Sequence, residues 1–329
     1  MLRVFALPAA ISLVILAVVL IFGGFAAFLT VALLSVLEAA LSFDNAVVNA
    51  QVLKKMSPRW QRRFLTWGML FAVVGTRLVL PILLVSAAAL MSPIVVATLA
   101  FSDSSAYAVL ISGARFAIGA FGGAFLSMVS LRYFFDSGKT VHWIRGIERR
   151  LARLGSVESM EIFVTAALLS LAVFCAAPGT REVILVAGSA GILLSAAIEN
   201  LMKRFSSGAA GAAAGLALFV YLNVLDSAFS LDGVVGAFAL TTAIPLIVIG
   251  LGIGAYFVRS LTLYLVEHRV LDSLVFIEHG AYWAIFGLAL SMLAGLVISV
   301  PEAVTGTVGA LFMLAAYLSS IRAKAGMVR

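Results

Sequence analysis

The chain has 329 residues, of which 63% are hydrophobic and 11% are charged, and its mean hydropathy is +1.16. A soluble globular protein is about 45–50% apolar and about 25% charged, so this composition excludes a soluble domain and indicates a polytopic membrane protein. The net charge of +7 does not indicate nucleic-acid binding, because lysines and arginines cluster between hydrophobic segments. The single cysteine, Cys175, excludes an intramolecular disulfide and any multi-cysteine metal site.

Apolar runs of about 20 residues, the length that a membrane-spanning helix needs, recur along the chain. We expect the first to be retained rather than removed as a signal peptide, because apolar sequence resumes directly after the Gly23-Gly24 turn. The predicted fold class is therefore an all-α polytopic membrane protein with about ten transmembrane helices. The helices are predicted at 7–23, 26–52, 64–90, 106–135, 158–176, 180–203, 209–238, 243–266, 272–297 and 303–321.

Basic residues are distributed asymmetrically between the predicted loops. If the ten helices alternate in direction, 17 lysines and arginines fall on one side of the membrane and only Arg181 falls on the other. The positive-inside rule then predicts that both termini are cytoplasmic. The segment 136–157 is predicted to be a cytoplasmic basic loop, whose run from Arg145 to Arg153 forms an amphipathic segment lying on anionic lipid.

Two stretches repeat each other and place carboxylates within apolar helices. The first reads VLEAALSFDNAVV (36–48) and the second reads VLDSAFSLDGVV (224–235). An acid at the centre of a membrane helix costs roughly 2.5–3.5 kcal/mol on insertion scales. We therefore expect these acids to face one another, water or a cation rather than lipid. The alignment matches Glu38 with Asp226, Ser42 with Ser230, and Asp44 with Asp232.

The repeat is predicted to be inverted, because the second and seventh helices run in opposite directions through the membrane. A weaker likeness continues beyond the motifs, since 68–77 echoes 250–259. The predicted organisation is one membrane domain over 1–329, with a first repeat at 26–135 and an inverted second repeat at 209–297. Inverted repeats are typical of secondary transporters, whose sites lie near the bilayer midplane where the repeats meet.

Polar residues in each motif follow helical spacing and so form one stripe along the helix. Asp44 and Asp232 lie about 100° from the stripe on an ideal helix and would join it if each helix broke locally, which the Ser-x-Asp sequences favour. The ligands offered are all oxygens, which suit Mg²⁺, Ca²⁺ or Mn²⁺. The stripes contain Ser35, Glu38, Ser42, Asn45 and Asn49 on the second helix, and Asn223, Asp226, Ser230 and Gly233 on the seventh.

Three further polar residues within predicted helices are candidates for supporting roles. Arg77 could counter the acids, or it could form a fixed structural ion pair. Glu278 and His279 could act as ligands or carry protons, since histidine titrates near neutral pH, or they could form an ordinary interfacial pair.

Several motifs also resemble those of the TerC family of tellurium-resistance-associated membrane proteins, in a longer branch. The resemblance runs from about residue 26 to about residue 290. It is carried by LSFDNAVVNA (41–50), FSLDGVVGA (229–237), WGM (67–69), FGG (121–123) and EHGA (278–281).

The resemblance implies a Mn²⁺ exporter in a bacterial inner membrane that exchanges the metal against protons or follows the metal gradient. The metal would be transported cargo, with no permanently bound cofactor. Asn223 stands where we expect an acid in relatives, and Arg115 stands where we expect histidine. The resemblance implies metal-site roles for Glu38, Asp44, Asn45, Asp226 and Asp232.

Other functions remain open from the sequence. One is a membrane scaffold in the tellurite or metal-stress response that supplies metal to exported proteins. Another is an intramembrane aspartyl protease with Asp44 and Asp232 as its dyad, although neither motif carries Gly-x-Gly-Asp. An organic solute exporter would need an aromatic-lined pocket, and only 10% of the chain is aromatic. The sequence lacks a nucleotide-binding loop, so we expect no direct use of ATP by this chain.

Overall fold

The computed structural model describes residues 2–208, 212–298 and 300–327. Within these ranges every regular element is a helix, which confirms the predicted all-α class. The helices are α1 (Leu2–Leu41), α2 (Phe43–Leu53), α3 (Pro58–Leu70), α4 (Leu80–Ala89), α5 (Pro93–Ser102), α6 (Ser104–Phe134), α7 (Arg145–Leu154), α8 (Met160–Cys175), α9 (Arg181–Gly208), α10 (Ala212–Leu240), α11 (Ile244–Glu267), α12 (Val270–Ser273), α13 (Ile277–Ala294) and α14 (Glu302–Met327). A π-helical segment, Phe71–Val79, joins α3 to α4, and a short 3-10 turn, Pro178–Thr180, precedes α9.

The helix α1 bends back on itself at Gly24. This glycine has φ 79° and ψ 178°, a backbone conformation that residues with a side chain rarely adopt. Val19 and Val31 share one buried cluster with Ile253 of α11, although they would be about 18 Å apart on a straight helix. The chain therefore reverses at Gly24, as the predicted Gly23-Gly24 turn requires.

Eight helical segments in the described ranges are long and apolar enough to cross a membrane, so the chain is a multi-pass membrane protein. Counting the two arms of α1 separately and adding the shorter apolar helix α8 gives ten segments, one at each predicted place. The sequence prediction missed α5, whose ten residues span only about 15 Å. Pro93 begins this helix at a position where proline is well tolerated.

The chain divides into two compact units. Unit 1 comprises Met1–Arg115 and Gly208–His268, and unit 2 comprises Phe116–Ser207 and Arg269–Arg329. Each predicted repeat contributes residues to both units. Both carboxylate motifs belong to unit 1.

In unit 1, α11 packs closely against α1 through two glycines spaced four residues apart. A Cβ atom at Gly250 would lie 2.7 Å from Cβ of Leu34, and one at Gly254 would lie 2.5 Å from Cβ of Glu38. The hydroxyl of Ser35 also donates a hydrogen bond to the carbonyl of Gly250 at 3.0 Å. Small residues at this spacing let membrane helices approach closely, so the glycines position α11 beside Glu38.

In unit 2, an apolar cluster joins α6, α8, α9 and the region around the end of α13. Its most buried members include Met128, Leu169, Ile184 and Leu293. Gly191 of α9 lies against the backbone of Phe121, so a side chain at this position would collide with α6. Unit 2 therefore has an apolar core of its own.

Replacing Gly254 with alanine is expected to destabilise the protein, because the added methyl group would overlap Glu38 and the carbonyl of Ser35. Overpacking of this kind typically costs about 1–3 kcal/mol. The measurement is the thermal unfolding midpoint in detergent. Gly113→Ala is the matched control, since nothing lies within 4 Å of its added Cβ. Equal midpoints for the two variants would contradict the packing described for α1 and α11.

Candidate functional site

The first motif lies across a break between two helices. The helix α1 ends at Leu41, Ser42 has φ −95° and ψ 20°, and α2 begins at Phe43. Asp44 therefore lies in the first turn of a new helix, and its carboxylate accepts a hydrogen bond from the backbone N–H of Asn45 at 2.8 Å. The break predicted in the first motif is confirmed.

The second motif lies within α10, which continues without interruption from Ala212 to Leu240. The break predicted near Ser230 and Asp232 is therefore wrong. An unbroken helix keeps its backbone N–H groups bonded internally, which matters more in an apolar environment than the low helix propensity of serine and aspartate. The side chain of Asp232 lies outside the described part of the structure.

Each motif contributes one buried acid that is paired with an arginine. Glu38 is 5% exposed and forms a salt bridge with Arg77 of the π-helical segment. Asp226 is 6% exposed, and its Oδ2 lies 3.1 Å from Nη2 of Arg259 on α11. The sequence alignment matches Glu38 with Asp226 and Arg77 with Arg259, so the repeats contain equivalent ion pairs.

Each of the two arginines also donates a hydrogen bond to a backbone carbonyl. Nη1 of Arg77 donates to the carbonyl of Ala72 at 2.6 Å, and Nη1 of Arg259 donates to the carbonyl of Phe64 at 2.9 Å. In both residues Nε is buried and has no hydrogen-bond partner among the described atoms. The two guanidinium groups are therefore alike in pairing with a buried acid and in leaving Nε without a partner, but they differ in which repeat supplies the carbonyl.

The two motifs also contact each other through the residue seven positions after each acid. Nδ2 of Asn45 donates a hydrogen bond to Oδ1 of Asp226 at 2.9 Å. Gly233 faces Glu38, because a Cβ built on this glycine would lie 3.0 Å from Oε2 of Glu38. The shorter acid thus faces an asparagine and the longer acid faces a glycine.

Around these acids lie oxygens that accept no hydrogen bond from any atom of the described residues. Burying a polar oxygen without a partner is costly, and oxygens of this kind are ligands for hard divalent cations. Nδ2 of Asn49 lies 3.5 Å from Oδ1 of Asp226, so this amide is near the second acid. The buried oxygens are Oδ1 of Asn45, Asn49 and Asn223 and Oγ of Ser230.

The structure brings most of the predicted site residues into one region of unit 1, but it does not gather their acids tightly. Among the side chains that the structure describes, no three from histidine, cysteine, aspartate or glutamate lie close enough to hold a metal ion. Asp44 is buried, and Ser42 is half-buried with its hydroxyl donating to Oε1 of Glu38 at 3.3 Å. A cation in this region would therefore depend on amide and hydroxyl oxygens as well as carboxylates.

Sequence reasoning missed two contributors to this region. The first is the π-helical segment, in which both Thr76 and Arg77 are buried. Thr76 Oγ1 lies 2.9 Å from Oγ of Ser227 on α10. π-Helical segments occur frequently at functional sites, but neither hydrophobic periodicity nor the repeat predicts them. The second missed contributor is Arg259. The repeat indicates this residue, because 68–77 aligns with 250–259 and both stretches end in arginine.

Glu278 and His279 belong to unit 2, where His279 contacts the basic helix α7. Nδ1 of His279 lies 2.8 Å from Oε2 of Glu148, and Nε1 of Trp283 donates to Oε1 of Glu148 at 2.9 Å. Glu148 is 2% exposed. The amphipathic segment predicted to lie on lipid is therefore held to α13 by its own acid, a contact that sequence reasoning missed.

The chain is similar to one described protein family over most of its length. Residues 43–326 match the family described as protein of unknown function, DUF475. The chain belongs to the DUF475 family. The DUF475 match contains the whole second motif and the first motif from Phe43 onwards. No curated protein and no solved structure matches the chain significantly.

Removing one partner of a buried ion pair is expected to destabilise the protein more than removing both. Glu38→Gln or Arg77→Gln alone leaves a buried charge without its partner, which typically costs about 3–5 kcal/mol. The double variant should be closer to the wild type than either single variant. Thermal unfolding of all four proteins in a double-mutant cycle measures the coupling.

Lys203→Gln is the control for this cycle, since the Lys203 side chain is 72% exposed where it pairs with Glu199. An exposed pair contributes about 0–1 kcal/mol, so its loss should change stability little. Additive effects of Glu38→Gln and Arg77→Gln would show that the buried pair is not coupled.

Acidification is expected to loosen α7 from unit 2. Burial by itself raises the pKa of Glu148. Interactions that favour the charged form, chiefly the hydrogen bonds from His279 and Trp283, together have a larger effect in the opposite direction, so the pKa falls from 4.5 to about 2. A lowered pKa stabilises the folded state at pH values above the ordinary pKa of 4.5, and this stabilisation is lost as the pH falls from 4.5 towards 2. Hydrogen exchange of residues 145–154, corrected for the intrinsic rate, should therefore accelerate over this interval. Glu148→Gln should remove the acceleration, and an unchanged pH profile in that variant would disprove the role of Glu148.

Proposed function

We propose that this chain is a membrane transporter that exports divalent metal cations, with Mn²⁺ as the leading candidate. One observation carries the proposal. The two inverted motifs place an acid each in the interior of unit 1 and are joined by the Asn45–Asp226 hydrogen bond, beside buried oxygens that lack partners among the described atoms. A divalent cation would satisfy such oxygens and would add positive charge to a region rich in carboxylates.

The choice of a hard cation follows from the donor atoms. Carboxylate, amide and hydroxyl oxygens suit Mg²⁺, Ca²⁺ and Mn²⁺, whereas thiolates and imidazoles favour softer metals. The motifs contain neither cysteine nor histidine. The resemblance to the TerC family favours Mn²⁺ among these ions.

Arg77 and Arg259 would act as internal counter-cations. Each arginine forms a salt bridge with one of the two buried acids, so a cation that enters must compete with a guanidinium group for a carboxylate. The net charge of the region would then change little between the cation-bound and arginine-bound arrangements, which lowers the cost of keeping acids within a membrane. Inverted repeats that rock around a central site would give alternating access to the two sides.

Export is proposed for a protein that lies in a bacterial inner membrane with its termini in the cytoplasm, and the gradients of the metal and of the coupling ion would set the direction of transport. The charge asymmetry between the predicted loops favours cytoplasmic termini. Export would then move Mn²⁺ out of the cytoplasm, with protons as the candidate counter-ion. A reporter that fluoresces only in the cytoplasm, fused to the C-terminus, checks the orientation of each preparation.

The test is ⁵⁴Mn²⁺ uptake into inside-out vesicles. The wild type should show saturable uptake, and Asp226→Asn and Asn45→Ala should each lower it at least tenfold. The first variant removes a carboxylate charge that would attract the cation, and the second removes the amide that joins the two motifs. Glu182→Gln is the matched control, since Glu182 is an exposed acid outside both motifs. Absence of Mn²⁺, Ca²⁺ and Mg²⁺ uptake in folded wild-type protein would overturn the exporter and favour the metal-stress scaffold.

A further inference from the structure

A small pocket in unit 1 lies between α3 and α10. None of its lining residues belongs to either carboxylate motif. Its volume is about 260 Å³, and it is lined by Trp60, Arg63, Trp67, Leu216 and Phe219. The rings of Trp60 and Phe219 are 5.7 Å apart. The indole of Trp60 lies directly against Gly215, where any side chain would collide with it. The pocket therefore has a closely packed aromatic wall.

The pocket is continuous with an apolar stripe that runs from α3 into the π-helical segment Phe71–Val79. After Arg63, the exposed apolar side chains follow at steps of four and three residues on α3, which is the spacing of one helical face. Two more follow in the π-helical segment, at steps of one and three residues. In a membrane protein an exposed apolar face of this kind contacts acyl chains. The stripe consists of Trp67, Leu70, Phe71 and Val74, which are 66%, 54%, 44% and 39% exposed.

The segment that precedes the pocket in sequence is strongly basic. The sequence contains no aspartate or glutamate between residues 45 and 102, so no acid from this stretch neutralises the basic residues there. Clusters of four to eight basic residues next to a membrane helix are typical of anionic-lipid binding. The basic residues around the start of α3 are Lys54, Lys55, Arg59, Arg62 and Arg63, all exposed.

Arg63 is the member of this cluster that lines the pocket. Its guanidinium carbon lies 4.6 Å from the centre of the Trp60 ring, which fixes the group by a cation–π interaction. A guanidinium group held by its face keeps N–H donors at its edge, and two of these match the oxygens of a phosphate.

We propose that this pocket binds an anionic phospholipid. Its phosphate would lie on Arg63 against the aromatic wall, and an acyl chain would follow the stripe that begins at Trp67. A free anion would use the guanidinium group but would leave the stripe unexplained, whereas a zwitterionic lipid would not use the excess positive charge. This proposal does not depend on metal transport.

Native mass spectrometry of the full chain in mild detergent tests the proposal. Phosphatidylglycerol and phosphatidylcholine with identical acyl chains are titrated against the wild type and three variants. The wild type should prefer phosphatidylglycerol. Arg63→Ala should weaken phosphatidylglycerol binding at least fivefold, because it removes a charge and the hydrogen bonds to the phosphate. It should weaken phosphatidylcholine binding less, because the choline ammonium group already balances the charge of the shared phosphate. Trp67→Ala should weaken both lipids equally, because it removes an apolar contact that does not distinguish the two headgroups.

Arg62→Ala is the matched control, since it removes the same charge from the adjacent exposed residue without altering the lining of the pocket. A loss of less than twofold in this variant would support the assignment to Arg63. Equal losses for Arg62→Ala and Arg63→Ala would overturn it in favour of diffuse attraction. The proposal also fails if the wild type shows no preference, or if inorganic phosphate competes as strongly as the lipid.

Discussion

The pairing of two buried carboxylates with two arginines is the constraint on which unit 1 depends. A charge in an apolar interior is tolerated only if an opposite charge and hydrogen bonds compensate for lost water. Glu38 therefore requires Arg77, and Asp226 requires Arg259. Because the partners lie on different helices, the electrostatic requirement also decides which helices must be neighbours.

Close packing makes these pairs geometrically possible. The absence of side chains at Gly250 and Gly254 lets α11 approach α1, and the absence of one at Gly233 leaves space beside Glu38. The opposite contact, Asn45 to Asp226, is a hydrogen bond rather than a gap. The two repeats thus have equivalent ion pairs but differ in the residue with which each contacts the acid of the other. Most of the buried oxygens near these acids that have no partner among the described atoms belong to asparagine side chains.

Unit 2 uses the same principle for a different purpose. Glu148 is buried on a basic helix, where a histidine, a tryptophan and the backbone N–H of Trp143 supply its hydrogen bonds. This contact attaches an amphipathic helix to a membrane-spanning one. Charge compensation therefore organises the interior of unit 1 and the attachment of α7 in unit 2.

The sequence by itself determined the membrane class, the places of the ten apolar segments, the reversal at Gly24, the break at Ser42 and the matching of the two motifs. These features arise from local properties, namely apolar length, glycine conformation and the repetition of side chains, which are visible in short windows. Only the tertiary structure decided that α10 stays unbroken, that Phe71–Val79 is π-helical, and that Asn45 bonds to Asp226. The last contact joins residues separated by 181 positions. Its formation depends on how α1, α2, α10 and α11 pack together, and no local pattern encodes that distance.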